Sequence, residues 1–344
     1  MGNRVIVSAK GIKRQWQGIP GIEIAANGRL WCIFFSGGPV EPHVDNEILL
    51  SSSSDNGQSW SDAETVVSVP GNTRAFDPCL WHDPDGKLWL FYNTGNIETK
   101  QHRLFAICSE DSNNASPTWS KELAIELDTP YAFRLNKPTV LSSGEWLLPV
   151  VHADKEIPVQ IDTKHPWKNW FAGPDQRLGV AVSLDKGKRW KLYGKLNAPE
   201  WALENMIIEK NDASLWMLIR TGGGSLWESF SNDKGATWTP AVTSGIPNPG
   251  SRFHIRRLKS GKLFLINHVD YSKSDIKRTN LAAMLSDDDG QSWSQPIFID
   301  KRDDVSYPDM VEDQSNTYHI VYDRERQKQG EINYCALKES DFTS

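Results

Sequence analysis

No basic run occurs along the sequence: 38 Lys and Arg are outnumbered by 44 Asp and Glu, for a formal net charge of −6. That balance argues against a nucleic acid or an anionic membrane surface as partner, so each arginine has to be judged by its own position. Cysteine is scarce. Cys32, Cys79, Cys108 and Cys335 show no CxxC spacing and mostly sit in apolar, strand-like runs, which reads as buried free thiols, with no metal site and no other cofactor implied. No run approaches the roughly 18 apolar residues of a membrane helix, and no useful length of chain has the period of an amphipathic helix. The N-terminal Met1–Ser8 lacks an apolar leader core. As it stands that start reads as cytoplasmic, or as secreted or periplasmic with a leader removed.

Tryptophan, in contrast, is abundant, with 15 copies, and much of it is periodic. The pattern Ser-x-Asp-x-Gly-x-x-Trp occurs at Ser53–Trp60, Ser183–Trp190, Ser231–Trp238 and Ser286–Trp293, and a broken copy starts at Ser109 and reaches Trp119. Such a box predicts a closed turn: the Asp carboxylate accepts backbone N–H groups, Gly supplies a positive φ, and Trp plugs the turn against a sheet. A turn of this kind is scaffolding rather than chemistry. Its repetition at intervals of 48 to 71 residues marks an array of four-stranded units.

Between the boxes, two apolar segments joined by a turn recur six times, with turns at Asn27-Gly28, Asp85-Gly86, Ser143-Gly144, Asn211-Asp212, Ser260-Gly261 and Ser315-Asn316. Six hairpins, each extended by two outer strands, predict an all-β six-bladed β-propeller spanning residues 1–344 as a single domain. No box follows the sixth hairpin, so Arg4–Ser8 is expected to close the ring as the outermost strand of the last blade. The long polar segment His152–Arg177, with Trp167, Trp170 and Phe171, is expected either to cover a pocket or to be a surface insertion.

In a propeller the starts of the innermost strands surround one axial pocket. Those starts carry Gln17, Arg74, Asp77, Arg134, Asn136, Lys137, Glu204, Asn205, Arg252, His254, Tyr307 and Asp309. The ends of the second strands add His152, Arg220, His268 and Asp323. For Arg134, Asp309 and Asp323 a strand-edge ion pair is an equal alternative.

The boxes resemble the Asp boxes of the sialidase (neuraminidase) superfamily, and the resemblance runs over nearly the whole chain. It extends to Glu204 in Leu-Glu-Asn-Met, Arg220 in Leu-Ile-Arg-Thr, Arg278 ahead of the Ser286 box, and Tyr307 in Ser-Tyr-Pro. It implies that Tyr307 is a nucleophile, that Glu204 is the base that takes its proton, and that Arg220 and Arg278 clamp an acidic group. A phenol does need such a neighbour, since its ordinary pKa of about 10 makes it a weak nucleophile at neutral pH; paired N–H donors suit the arginine role.

Two departures stand out. The first clamp arginine of the family is replaced by Gly18 in Gly18-Ile19-Pro20, and the acid aspartate has no direct counterpart in Glu41-Pro42-His43-Val44-Asp45-Asn46-Glu47. His43 aligns nearest to the acid, with Asp45 and Glu41 as rivals, and an imidazole can protonate a leaving oxygen near neutral pH. Arg74, Arg252 and His254 are expected to compensate for the missing arginine, and Asp77, Gln17, Asn136 and Lys137 to contribute to substrate binding. The reading is an exo-glycoside hydrolase with a carbohydrate partner, acting on a terminal acidic sugar. The missing clamp and acid predict poor turnover of ordinary N-acetylneuraminic acid glycosides. The alternatives are a lyase or another, non-sialic glycosidase on the same scaffold, and a carbohydrate-binding propeller without catalysis.

Overall fold

A computed structural model describes residues 4–12, 14–134, 136–153, 176–197, 201–222, 224–271 and 277–342. These residues form six antiparallel sheets set in sequence around an axis: the six-bladed propeller that the hairpins predict. There is no α-helix among them, only a 3₁₀ turn at Glu339–Phe342. The His152–Arg177 segment lies, from 154 to 175, outside the described residues.

The inner strands of blades one, two, four and six are Gln17–Ile24, Thr73–His82, Ala202–Glu209 and Val305–Glu312. In blade five the inner strand is the shorter His254–Arg257. In blade three it is broken into Tyr131–Arg134 and Thr139–Val140, both paired with Trp146–Ala153, because Pro138 can give no ladder hydrogen bond. The N-terminal strand Val5–Ser8 pairs with Glu331–Lys338 and completes the sixth blade, which closes the ring as expected.

Inside each blade the side chains facing the neighbouring sheets are apolar, and the core runs through the blade interfaces. Trp81 meets Trp146 edge-on with ring centroids 4.7 Å apart, which joins blades two and three. Cys32, Cys79 and Cys335 are buried in this packing, Cys108 is partly so, and no disulfide joins them.

The boxes refine the expected turn. In Ser231–Trp238 the buried member is the Ser231 hydroxyl, which accepts Gly235 N–H at 2.9 Å and donates to Asp233 Oδ1 at 2.8 Å. Asp233 itself is exposed and accepts Thr237 N–H at 2.8 Å. Trp238 Nε1 donates back to Gly235 O at 3.0 Å, closing the loop on itself. The glycine is needed twice over. Gly57, Gly187, Gly235 and Gly290 all have φ between 79° and 90°, and a Cβ on Gly290 would stand 2.5 Å from the Trp216 ring of the preceding blade.

Candidate active site

Four inner strands carry a β-bulge at the same level, and in each the bulged residue has a left-handed backbone: Ile19 (φ 57°), Asp77 (47°), Glu204 (50°) and Tyr307 (54°). A bulge re-aims its side chain, and a non-glycine residue held at positive φ costs about 1–3 kcal/mol, so surrounding structure must enforce it. The sequence supplies part of the reason. Ile19, Asp77 and Tyr307 each precede a proline, Pro20, Pro78 and Pro308, and proline within a strand is confined to edges and bulges.

Two of these bulged residues, Glu204 and Tyr307, are joined through one guanidinium. Arg220 Nη1 donates to Glu204 Oε2 at 2.5 Å and to Tyr307 Oη at 3.0 Å. Among the described residues no hydrogen bond joins Glu204 to Tyr307 directly, so Arg220, rather than the expected carboxylate, is the immediate partner of the phenol. Burial opposes ionisation of Glu204, but the charges of Arg220 and Arg252 outweigh it and hold the carboxyl below its ordinary value.

Further guanidiniums converge on the same ring. The Cζ atoms of Arg326, Arg278, Arg220 and Arg252 lie 4.6, 5.5, 5.8 and 5.9 Å from the Tyr307 ring centroid. Arg220 Nε and Arg278 Nη2 also donate to Gly250 O, at 2.9 and 3.1 Å, and that shared carbonyl sets their spacing. Burial and the Arg220 charge lower Arg278 to about 10. Arg252 is buried with Nε and Nη1 unpaired, and among the described residues neither Arg252 nor Arg278 forms an ion pair with a carboxylate. The cluster carries more positive charge than its neighbours among the described residues neutralise.

Arg326 is the residue that sequence reasoning missed. It follows the second strand of blade six, Thr317–Arg324, and passes over Gly18: a Cβ at position 18 would stand 2.3 Å from Arg326 Cδ and 2.7 Å from its Cγ. The space beside Gly18 is thus filled by the side-chain methylenes of Arg326, which comes from the other side of the ring closure. Its Nε lies 3.7 Å from Asp323 Oδ2 and its Nη1 3.7 Å from Glu41 Oε2. A signal exists in the sequence, since Asp323 marks the end of that strand and Arg326 stands only three residues on.

The other expected site residues divide. Arg74 stacks on Phe76 at 3.9 Å and pairs with Glu41 at 3.4 Å, which brings Glu41 between Arg74 and Arg326. His43, aligned nearest to the acid, instead rests its ring against Gly38, with Nδ1 3.4 Å from Asp45 Oδ2. Asp77 is half-buried on its bulge, close enough to Arg74 for their charges to interact. Gln17 is fully buried and donates to Gly330 O at 2.5 Å, tying blade one to blade six. Asn136 Nδ2 donates to Asn205 O at 2.9 Å. Lys137 lies deeper on the axis, 2.9 Å from Asp309 Oδ2, and His254 Nδ1 is 3.0 Å from Asp309 Oδ1. Asp309 and Asp323 act as interblade staples, accepting Ile22 N–H and Ile19 N–H at 2.8 Å each. His152 and His268 are buried against the carbonyls of Gly194 and Thr279.

A family of BNR repeat-like domains matches residues 28–320. The chain belongs to that BNR repeat-like family. A search of the curated proteins finds no match. Among solved structures the propeller is similar to a Hadza microbial sialidase, with TM-score 0.77 and 17% identity over 97% of this chain and 69% of that one. A protein of unknown function from Dyadobacter fermentans gives TM-score 0.76 and 17% identity, covering 97% of both chains. The NanB sialidase of Streptococcus pneumoniae gives 0.75 and 13%, covering 98% and 71%. At these identities the likeness shows the fold, which is sialidase-like. Among the described residues of this BNR repeat-like propeller, no group of three or more His, Cys, Asp or Glu could hold a metal ion.

Proposed function

We propose that the protein is an exo-glycoside hydrolase acting on a terminal acidic sugar at the Tyr307 end of the axis. One observation carries the reading: four guanidiniums surround the phenol, two of them without a carboxylate partner among the described residues. Unneutralised, partly desolvated arginines are suited to a ligand that brings its own negative charge. In this reading Arg220, Arg278 and Arg326 hold the acidic group and Tyr307 attacks the anomeric carbon. Glu204 acts through Arg220, or takes the phenolic proton once substrate displaces that contact. A neutral phenol beside a bound carboxylate avoids the repulsion that a carboxylate nucleophile would meet, and Tyr nucleophiles are a known departure from the two-carboxylate arrangement.

The loop 41–47 is the place from which the leaving oxygen would be protonated. Glu41 is its member tied to the site, through Arg74 and Arg326. Filling of the Gly18 space by Arg326 removes one of the two reasons for expecting N-acetylneuraminic acid glycosides to be poor substrates.

Aryl glycosides of acidic sugars, including N-acetylneuraminic acid, test the reading, with Tyr307→Phe as control. Release of the aryl group by the wild type and its loss in the variant is expected. An ultraviolet-absorbing unsaturated product would replace the hydrolase by a lyase, and binding without turnover of any acidic glycoside would replace it by a binding propeller.

A further inference from the structure

A second cavity, of about 550 Å³, opens at the other ends of the inner strands. Blade four orients it: Glu204 stands near the start of its inner strand, at the level of Tyr307, whereas the cavity is lined by Met206, Ile208 and Glu209 farther along the same strand. The interrupted inner strand of blade three leaves the room. Pro138 and the two-residue strand Thr139–Val140 stand where other blades have a continuous strand. Its volume falls in the range of small-molecule sites.

Most polar groups of the wall are committed to the scaffold. Lys137 donates to Ile22 O and pairs with Asp309. The Glu209 carboxylate accepts Ser142 N–H and Oγ–H at 2.7 and 2.8 Å. Asp83 accepts Trp89 Nε1–H at 2.9 Å. Besides His82 Nδ1, which faces Glu23 Oε1 at 3.8 Å, two atoms are left over, His254 Nε2 and Arg256 Nη1, both buried and without a hydrogen-bond partner among the described residues. They sit two residues apart on the strand His254–Arg257 and so share one face of it.

Their chemistry differs, and the difference selects the ligand. His254 is 2% exposed and its Nδ1 faces the Asp309 carboxylate at 3.0 Å, which places the imidazole proton on Nδ1 and leaves Nε2 as an acceptor. Burial, with the charges of Lys137 and Arg256, lowers His254 and keeps the ring neutral. Arg256 Nη1 can only donate. An anion would satisfy Arg256 but meet the lone pair of Nε2; a hydroxyl satisfies both. Trp81, Val140 and Ile208 supply an apolar wall beside them.

We propose that this cavity is a second ligand site, taking a neutral, hydroxyl-bearing molecule of monosaccharide size, one hydroxyl of which donates to His254 Nε2 and accepts from Arg256 Nη1. The site is independent of the reaction assigned to Tyr307.

Ligand-observed NMR on the full chain, with galactose as probe and inorganic phosphate as competitor, tests it. Wild type should show saturation transfer to galactose that phosphate leaves in place. Arg256→Ala should weaken binding by about tenfold or more, the size expected for loss of a charge-assisted hydrogen bond, and Val140→Trp, which fills the cavity from its rim, should abolish it. If Val140→Trp does not fold, Arg256→Ala with partial rescue by Arg256→Lys decides alone. Absence of galactose binding to wild type overturns the proposal. So does binding that survives Arg256→Ala, which would place the sugar elsewhere, and so does displacement by phosphate, which would make the site an anion site.

Discussion

Gly18→Ala is a small substitution aimed at a residue 308 positions away. The new methyl would stand 2.3 Å from Arg326 Cδ, 2.7 Å from its Cγ and 2.9 Å from Asp323 Oδ2, all inside van der Waals contact. Gly18 is not among the positive-φ glycines, so the backbone accepts alanine and the strain falls on the arginine. To restore ordinary contact, Arg326 must retreat by about 1 Å or more, away from a guanidinium position 4.6 Å from the Tyr307 ring. A charge-assisted hydrogen bond to the acidic group of the substrate is then lost or bent, which costs about 1.5–3 kcal/mol, or about 10- to 150-fold in kcat/KM.

The same displacement has a pH signature. Asp323 is fully buried; burial raises its pKa, while Arg326, the Ile19 N–H and the Ser306 hydroxyl act against that rise. Moving Arg326 raises it further. A carboxyl whose folded pKa is raised penalises the folded state above that pKa, and the penalty vanishes as pH falls through the ordinary value of about 4. Gly18→Ala should therefore lower Tm at pH 7.5 and approach the wild-type Tm as pH falls toward 4. Thermal melts across that range, with kcat/KM on whichever acidic aryl glycoside is turned over, are the assays. Unchanged kcat/KM within about twofold would show that Arg326 does not touch the substrate. A Tm deficit that grows on acidification would refute the account of Asp323.

Tyr307→Phe removes the oxygen that accepts from Arg220 at 3.0 Å and should abolish turnover while shifting Tm by little, measured by paired kinetics and melting. Ser231→Ala leaves the buried Gly235 N–H unsatisfied and should cost about 1–3 kcal/mol in urea unfolding, at least as much as Asp233→Ala, whose carboxylate is exposed; the opposite order would make the aspartate the anchor of the box. Deletion of residues 1–10 removes the strand paired with Glu331–Lys338 and should lower Tm markedly, with an unchanged melt refuting closure by that strand. Glu41→Gln should reduce kcat/KM more than His43→Ala, because Glu41 bridges Arg74 and Arg326 whereas His43 rests on Gly38; the reverse ranking would restore His43 as the acid.

Much of the architecture was legible in the chain because it is repeated local chemistry. A Ser hydroxyl, an Asp carboxylate, a glycine at positive φ and a tryptophan form a turn from eight consecutive residues, wherever in the fold the turn sits. The period of that turn sets the number of blades. The closing strand was legible for a related reason: the sixth hairpin has no box after it, and an unpaired sheet edge needs a strand from elsewhere. Glu204, Arg220 and Tyr307 stand out by strand position and by resemblance, Arg278 by resemblance alone, and the structure brings all four together. The left-handed bulges that aim Glu204 and Tyr307 were signalled only indirectly, by prolines inside strands.

What the tertiary structure alone decided is how groups distant in sequence share space. Arg326 occupies the volume beside Gly18 because ring closure sets the turn after the second strand of blade six against the first strand of blade one, and no local pattern encodes that juxtaposition. The same closure turns Gln17, Asp309 and Asp323 into buried staples between blades. The division of roles along one strand is likewise tertiary. Residues near its start face Tyr307, residues near its end face the second cavity, and Lys137 and His254 sit on the axis around Asp309. The sequence determines which residues are polar and where the strands start; the depth of each side chain on the axis follows from bulges, from the break at Pro138 and from the blade opposite.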